Sequence, residues 1–324
     1  MRVLQEQVVG QESAVAAVSR AVTLALAGGC RNNRPLAVLL FAGPFGSGKI
    51  HVAQSLAYTL LGNACKLIYV NCQQLSEAAD PLLNLHEQLA TGYWYACATP
   101  PFWPSAFSIV VFEEIDKAPI SFRDRLAAAI DRGELRSYGS FFSLRNTFII
   151  LTIHLSRKKA DQLIGRPLGF SVEGETDVEM AGHHIMALEE TDNMLGIDLV
   201  NHIDEIVIFE RLTERYILML LDRRLTEIER FLAGSSIGFI ISPEAKSFLL
   251  KIGLGDLTHG MRQLNRGVRN YLEFPLADLM LSGRLSPGTI VEVKYEPPRA
   301  FLHFQILIPK FVLPQMSLVK NQMR

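Results

Sequence analysis

This chain has no long apolar run, no paired cysteines and almost no net charge, and each absence removes a class of protein. No apolar stretch reaches the ~18 residues needed to span a bilayer. The first residues, Met1-Arg2-Val3-Leu4-Gln5-Glu6-Gln7, lack the apolar segment of a secretory leader. The four cysteines, Cys30, Cys65, Cys72 and Cys97, show neither a C-x-x-C pair nor zinc-ligand spacing. They read as reduced structural thiols, in a cytoplasmic or another reducing soluble compartment. With 32 Lys and Arg against 33 Asp and Glu the net charge is −1, so no global field recruits nucleic acid or a membrane. No basic patch and no helix-turn-helix signature supports a DNA-associated role.

What is present is an ordinary globular composition, 49% hydrophobic and 20% charged over 324 residues, enough for one large or two modest domains. Ala14, Val15, Val18, Val22 and Leu26 recur at helical spacing, up to Gly28-Gly29. An apolar run, 37–42, predicts a strand, and 52–61 predicts a helix after it. Strands are expected at 66–71, 108–112 and 147–153, and helices at 75–90 and 121–131. Strands alternating with helices, each apolar on both faces, predict an α/β core with a parallel sheet sandwiched by helices. Ligands of such sheets bind at the carboxyl ends of the strands.

Residues 91–107 are irregular and aromatic, with Pro100, Pro101 and Pro104 against any regular element. From 173 to 201 there is no Lys or Arg but eight Asp and Glu, which reads as a solvated surface. His183-His184 lies within it; adjacent histidines face different ways on a helix and do not make a metal pair. After Leu212 the pattern turns helical, over 214–232, 242–251 and 261–280, with a closing strand at 289–295. The expected division is therefore 1–210 for the α/β core, 211–296 for a small, mostly helical domain and 297–324 for an extension.

The sharpest signal is Gly43-Pro44-Phe45-Gly46-Ser47-Gly48-Lys49-Ile50. It sits between the predicted strand and helix, where G-x-x-x-x-G-K-[ST] means a phosphate-binding loop. Small residues let backbone N–H groups turn toward phosphate, with the positive end of the next helix behind them. Lys49 adds a point charge. The last position should bring the hydroxyl that ligates Mg²⁺, and Ile50 has none. Two carboxylates, Glu113 and Glu114, close the strand at 108–112.

In its order of motifs the chain resembles the Clp-type AAA+ ATPases, the ring-forming unfoldases, and especially their second ATPase module. Val8-Val9-Gly10-Gln11-Glu12-Ser13-Ala14 is similar to the V-x-G-Q-x-x-A segment that places Val8 and Val9 on the adenine. Arg145-Asn146-Thr147 is similar to R-N-T, and Asn201-His202-Ile203-Asp204-Glu205-Ile206-Val207-Ile208-Phe209 to N-R-I-D-E-V-V-V-F. Gly260-Met261-Arg262-Gln263-Leu264 resembles G-A-R-P-L. With the loop these make five segments in order, from about residue 8 to 293, and chance does not supply that.

The resemblance implies ATP or ADP in the loop, Mg²⁺ beside it, a homo- or hetero-hexamer of AAA+ subunits or a larger complex, and a polypeptide substrate. It makes Glu114 the residue that polarises the attacking water, Glu113 the Mg²⁺ ligand, His154 the γ-phosphate sensor and Arg262 the lid sensor. Four positions depart from the family. Ile50 replaces the hydroxyl, and Glu113 stands for aspartate. His154 stands for the usual asparagine, where a buried structural histidine fits as well as a sensor. His202 replaces the arginine finger, a poor exchange because imidazole is shorter and mostly neutral at pH 7. The gripping loop of the family has its nearest counterpart at Gly92-Tyr93-Trp94. The glycines, Lys49 and Arg262 are kept, which binding requires; hydrolysis requires the altered set too. The expectation is an ATP-binding subunit with weak or absent turnover and a structural or regulatory role. The alternative is an active unfoldase with a divergent site.

Overall fold

A computed structural model describes residues 2–28, 34–61, 67–75, 108–137, 140–155, 194–255, 261–297 and 301–308. The predicted helix at 75–90 beyond its first residue, the aromatic stretch with Gly92-Tyr93-Trp94, His183-His184 and most of the acidic segment and of the extension lie outside these residues. The chain forms two compact units, the first running from Met1 to Tyr216 and rejoined by Met261, the second beginning at Ile217.

In the first unit, helices α1 (Arg2–Gln7) and α2 (Glu12–Leu26) precede strand β1 (Ala37–Gly43), helix α3 (Lys49–Leu61) and β2 (Leu67–Asn71). Then come β3 (Ser108–Glu113), α4 (Ile120–Arg132), a hairpin of β4 (Glu134–Ser137) and β5 (Ser140–Ser143), β6 (Thr147–His154), the single turn α5 (Ile197–Val200) and β7 (Glu205–Ile208). The sheet order is β2-β3-β6-β1-β7, all parallel. Every residue of β1 is buried, because both faces are covered. Val38, Leu40 and Ala42 point into one apolar layer with Phe122, Leu126 and Ile130 of α4. Ala37, Leu39 and Phe41 point into the other with Val15, Val18 and Val22 of α2 and Val52 and Leu56 of α3. The period of two along the strand thus feeds two cores at once.

The register brings the strand ends together. Gly43 faces His154, and Asn71 faces Glu113. Gly43 must be glycine for a packing reason: a Cβ there would stand 2.6 Å from the Phe209 carbonyl oxygen.

The second unit is opened by α6 (Glu214–Gly234), whose buried Ile217, Leu221, Leu225, Ile228 and Leu232 follow helical spacing. It continues through β8 (Gly238–Ile241), α7 (Pro243–Leu254), α8 (Met261–Val268), α9 (Phe274–Leu281), β9 (Ile290–Lys294) and β10 (His303–Leu307). Its three-stranded sheet runs β10-β9-β8. The Ser242 side chain caps α7 by accepting from the Ala245 N–H at 3.2 Å, with Pro243 at the first turn. The expected helix over 261–280 is present, with a five-residue π turn, Arg269–Glu273, joining α8 to α9. Pro275 in the first turn of α9 is the physical reason, since its ring crowds the preceding turn and it has no N–H to donate. Arg224 of α6 binds Glu273 at the end of that turn, at 2.7 Å.

Candidate functional site

The loop leaves β1 at its carboxyl end and enters α3 at Lys49. Gly46 and Gly48 hold φ of +69° and +100°, and a Cβ on Gly48 would meet nothing within 4 Å. The space before Gly48 is therefore open, beside the first turn of a 13-residue helix. Lys49 turns inward, donating from Nζ to the carbonyl oxygens of Gly43 at 2.7 Å and Pro44 at 2.8 Å. The Ser47 hydroxyl donates to the Pro44 carbonyl at 2.9 Å. These contacts set the loop's curvature and keep the ammonium within it. The glycines, Pro44, Ser47 and Lys49 therefore fit a phosphate chain.

Mg²⁺ is a different matter. Ile50 packs against the apolar layer shared with α2 and α3, so its position brings hydrocarbon where a ligating oxygen would be needed. Among the described residues no group of three or more His, Cys, Asp and Glu could hold a metal ion. Glu113 ends β3 half-buried, with an arm one methylene longer than aspartate, while Mg²⁺ demands near-ideal octahedral geometry. The donor set does not fit a resident Mg²⁺.

Glu114, nine-tenths buried, has φ +55° and ψ +54°, a left-handed conformation that a residue with a side chain adopts at a cost. Its N–H donates to Thr152 Oγ1 at 3.1 Å, across to β6. Gln73, in the 3₁₀ turn after β2, donates from Nε2 to Glu114 Oε2. Glu114 is thus held from two neighbouring strands, its backbone by Thr152 and its carboxylate by Gln73. Beside it the buried Asp116 has one oxygen paired with Lys117 Nζ at 3.0 Å and the other without a hydrogen-bond partner. Cys72 lies next to both acids. Burial first, then the Asp116 and Glu114 carboxylates, push its thiol up to about 12. It is a protonated, inert thiol.

His154 ends β6 opposite Gly43 and stacks on Phe45, with ring centroids 3.6 Å apart and planes within 23°. Its Nδ1 is buried without a hydrogen-bond partner. Burial, then the Lys49 ammonium, push the imidazole below its ordinary value, against Glu114, Asp116 and the Gly43 backbone. Lys49, Glu114 and His154 therefore share one electrostatic neighbourhood.

The opening segment does more than its resemblance implied. Val8 is a core residue of the α1–α3 layer, while Val9 is half-buried. Gly10, at φ +75°, lies under the Tyr216 ring, which a Cβ would approach to 2.6 Å. Gln11 is 2% exposed and clamps two distant backbones. Its Nε2 donates to the Ser47 carbonyl at 3.0 Å and the Glu210 carbonyl at 2.7 Å, while its Oε1 accepts the Glu210 N–H at 3.0 Å. Sequence reading named Val8 and Val9 as site residues and passed over Gln11, Gln73 and Thr152. For Gln11 the one available hint was its place in the V-x-G-Q-x-x-A resemblance. His202 lies elsewhere: it precedes β7 at the amino end of the sheet, its carbonyl accepting from Arg34 Nη2 at 2.8 Å. Arg262 is exposed on the first turn of α8, in the second unit.

Residues 34–206 match the model of the AAA domain (Cdc48 subfamily), and residues 212–293 match that of the C-terminal, D2-small domain of ClpB protein. The chain belongs to the Clp-type AAA+ family. Chaperone protein ClpB of Aquifex aeolicus (strain VF5) is 31% identical over 297 residues, covering 90% of this chain and 29% of that protein. Chaperone protein ClpD, chloroplastic, of Arabidopsis thaliana is 29% identical over 289 residues, 88% of this chain and 30% of that protein. The chain thus spans under a third of the length of these relatives. Among solved structures, the S. cerevisiae Hsp104–ADP complex superimposes with a TM-score of 0.71 at 26% identity, over 93% of this chain and 51% of that one. The match is to the second ATPase module of the Clp-type proteins. Among the described residues of this AAA+ module, no helix is long and apolar enough to cross a membrane.

Proposed function

We propose that this AAA+ module binds ATP or ADP in its glycine loop, hydrolyses ATP weakly or not at all, and serves as a structural or regulatory subunit of a larger AAA+ or protein-remodelling complex. One observation carries the reading. Within eight residues the loop keeps open space before Gly48 and an inward lysine, and then packs the half-buried Ile50 against the apolar layer.

Each residue has a definable part. Backbone N–H groups of the loop and the first turn of α3 take the phosphates, and Lys49 exchanges two carbonyl contacts for phosphate oxygens. Glu114 holds the position of the base that would orient a water. Gln73 occupies one of its oxygens, and His154 brings a neutral ring instead of an amide. No arginine stands at 202 to reach a neighbour's nucleotide, and loss of such a finger costs roughly 10³-fold or more in rate. A hexamer built with an active AAA+ partner would supply what a homo-hexamer lacks. Arg262 is the proposed lid sensor. The chaperone relatives make a polypeptide the substrate class of such a complex.

The other reading, an active unfoldase, has one observation in its favour: Glu114 is retained in a costly left-handed conformation that Thr152 supports. Steady-state ATP hydrolysis by the purified chain, against Glu114→Gln, separates the two. Saturable nucleotide binding with background turnover in both proteins is expected. Turnover that Glu114→Gln abolishes would overturn the proposal in favour of a working motor.

A further inference from the structure

Two residues of the site, one of them a departure from the family, are in contact. Phe45 is the third residue of the loop and His154 the last of β6, and their rings stack face to face at 3.6 Å. Because Gly43 and His154 are register partners on adjacent strands, the stack stands against the strand end of the loop. The opposite, helix end is the open one, where Gly48 has free space in front of it. The cradle is therefore open at one end and closed by aromatic rings at the other.

A nucleotide laid in such a loop has a fixed direction. The α- and β-phosphates sit on the backbone N–H groups toward the helix, and Lys49 reaches to the β–γ side. A third phosphate extends toward the start of the loop and the end of β6, which is where the two rings meet. Seating it requires parting the stack, with loss of an aromatic contact. Little is returned for that loss. His154 Nδ1 is buried and without a hydrogen-bond partner, and the ring is held toward its neutral form beside the Lys49 ammonium. A neutral imidazole stacked on a phenyl ring offers the additional negative charge no compensating positive charge. A diphosphate ends before the stack and leaves it intact.

We infer that the Phe45–His154 stack makes this site selective for a nucleoside diphosphate over the triphosphate. The inference rests on the nucleotide-binding reading above and gives it a direction: the stable liganded state is the diphosphate form, reached without any catalytic cycle.

The test is calorimetric titration of the full chain with ADP and, separately, with ATP, in EDTA so that nothing is hydrolysed. The readout is the ratio of the two dissociation constants. The wild type should favour ADP by about tenfold or more, a difference of about 1.4 kcal/mol. Phe45→Ala and, independently, His154→Asn should each bring the ratio to within about threefold. Either variant alone suffices if the other fails to fold. Equal affinities in the wild type, or a ratio unchanged in the folded variants, would overturn the selectivity while leaving nucleotide binding in place. Absence of binding for both nucleotides would overturn the underlying reading as well.

Discussion

Gln11 and Ser47 are 36 residues apart, yet the buried Gln11 amide donates to the Ser47 carbonyl at 3.0 Å. The same amide group exchanges two hydrogen bonds with the backbone of Glu210. One side chain therefore joins the opening segment, the glycine loop and the chain leaving β7. Without it the Ser47 carbonyl and both backbone groups of Glu210 lose their amide partner, at about 1–3 kcal/mol for a group left unsatisfied in the interior.

Gln11→Leu should accordingly lower the stability of the first unit by about 2–4 kcal/mol and weaken ADP binding severalfold by loosening the loop. Urea unfolding followed by tryptophan-independent far-UV signal, with and without ADP, reads both effects. A midpoint within experimental error of wild type would show that water replaces the amide at no cost.

Glu114 carries the one strained backbone in the site, with φ +55°. Glycine adopts this conformation freely and alanine does not. Both Glu114→Gly and Glu114→Ala remove the carboxylate that Gln73 binds, so their difference isolates the backbone. The glycine variant should be the more stable by about 1 kcal/mol, measured as the difference in unfolding free energy. An alanine variant as stable as the glycine one would mean that the turn after β3 relaxes once the side chain is gone.

Cys72 predicts an alkaline effect whose sign is fixed. Its thiol titrates from an ordinary 9.0 when unfolded and at about 12 when folded. Between those values the unfolded chain has lost the proton and the folded one keeps it. Stability is then fully present below pH 9 and falls as pH rises toward 12, by about 1.4 kcal/mol per unit. Cys72→Ala should remove that slope while costing some packing, and the folded wild type should resist alkylation at pH 8. Rapid modification of native protein at that pH would contradict the burial on which the argument stands.

The parts of this fold that were legible in sequence are those with long local signals. The run into Gly43, the loop and α3 could be read because apolar continuity, glycines and a lysine coincide within a few residues. Four-residue strands such as β7 and β8 are too short to display a period, and the β4–β5 hairpin adds only two more of that length. The Glu114 environment was illegible for another reason. Gln73 and Thr152 become its partners only through the register of β2 with β3 and of β3 with β6, which no local pattern encodes. The π turn at Arg269–Glu273 announced itself only as Pro275 in an otherwise helical pattern.

Ile50 separates a decayed site from a self-sufficient one, because its side chain has two roles to lose. It packs against the layer of α2 and α3, so Ile50→Thr removes apolar burial and places a hydroxyl at its edge. That exchange should cost about 1 kcal/mol of stability, read from the unfolding midpoint. In return the hydroxyl would stand at the first turn of α3, where a phosphate-bound Mg²⁺ needs an oxygen. If the missing ligand is what limits this module, Ile50→Thr should raise Mg²⁺-dependent turnover at least tenfold, and the gain should vanish in Ile50→Thr with Glu114→Gln. If the site has also lost its finger at 202 and its sensor at 154, the substitution should leave turnover at background while strengthening the Mg²⁺ dependence of ATP binding. The second outcome is the one expected here, because Phe45 and His154 still stack across the place where the third phosphate has to go.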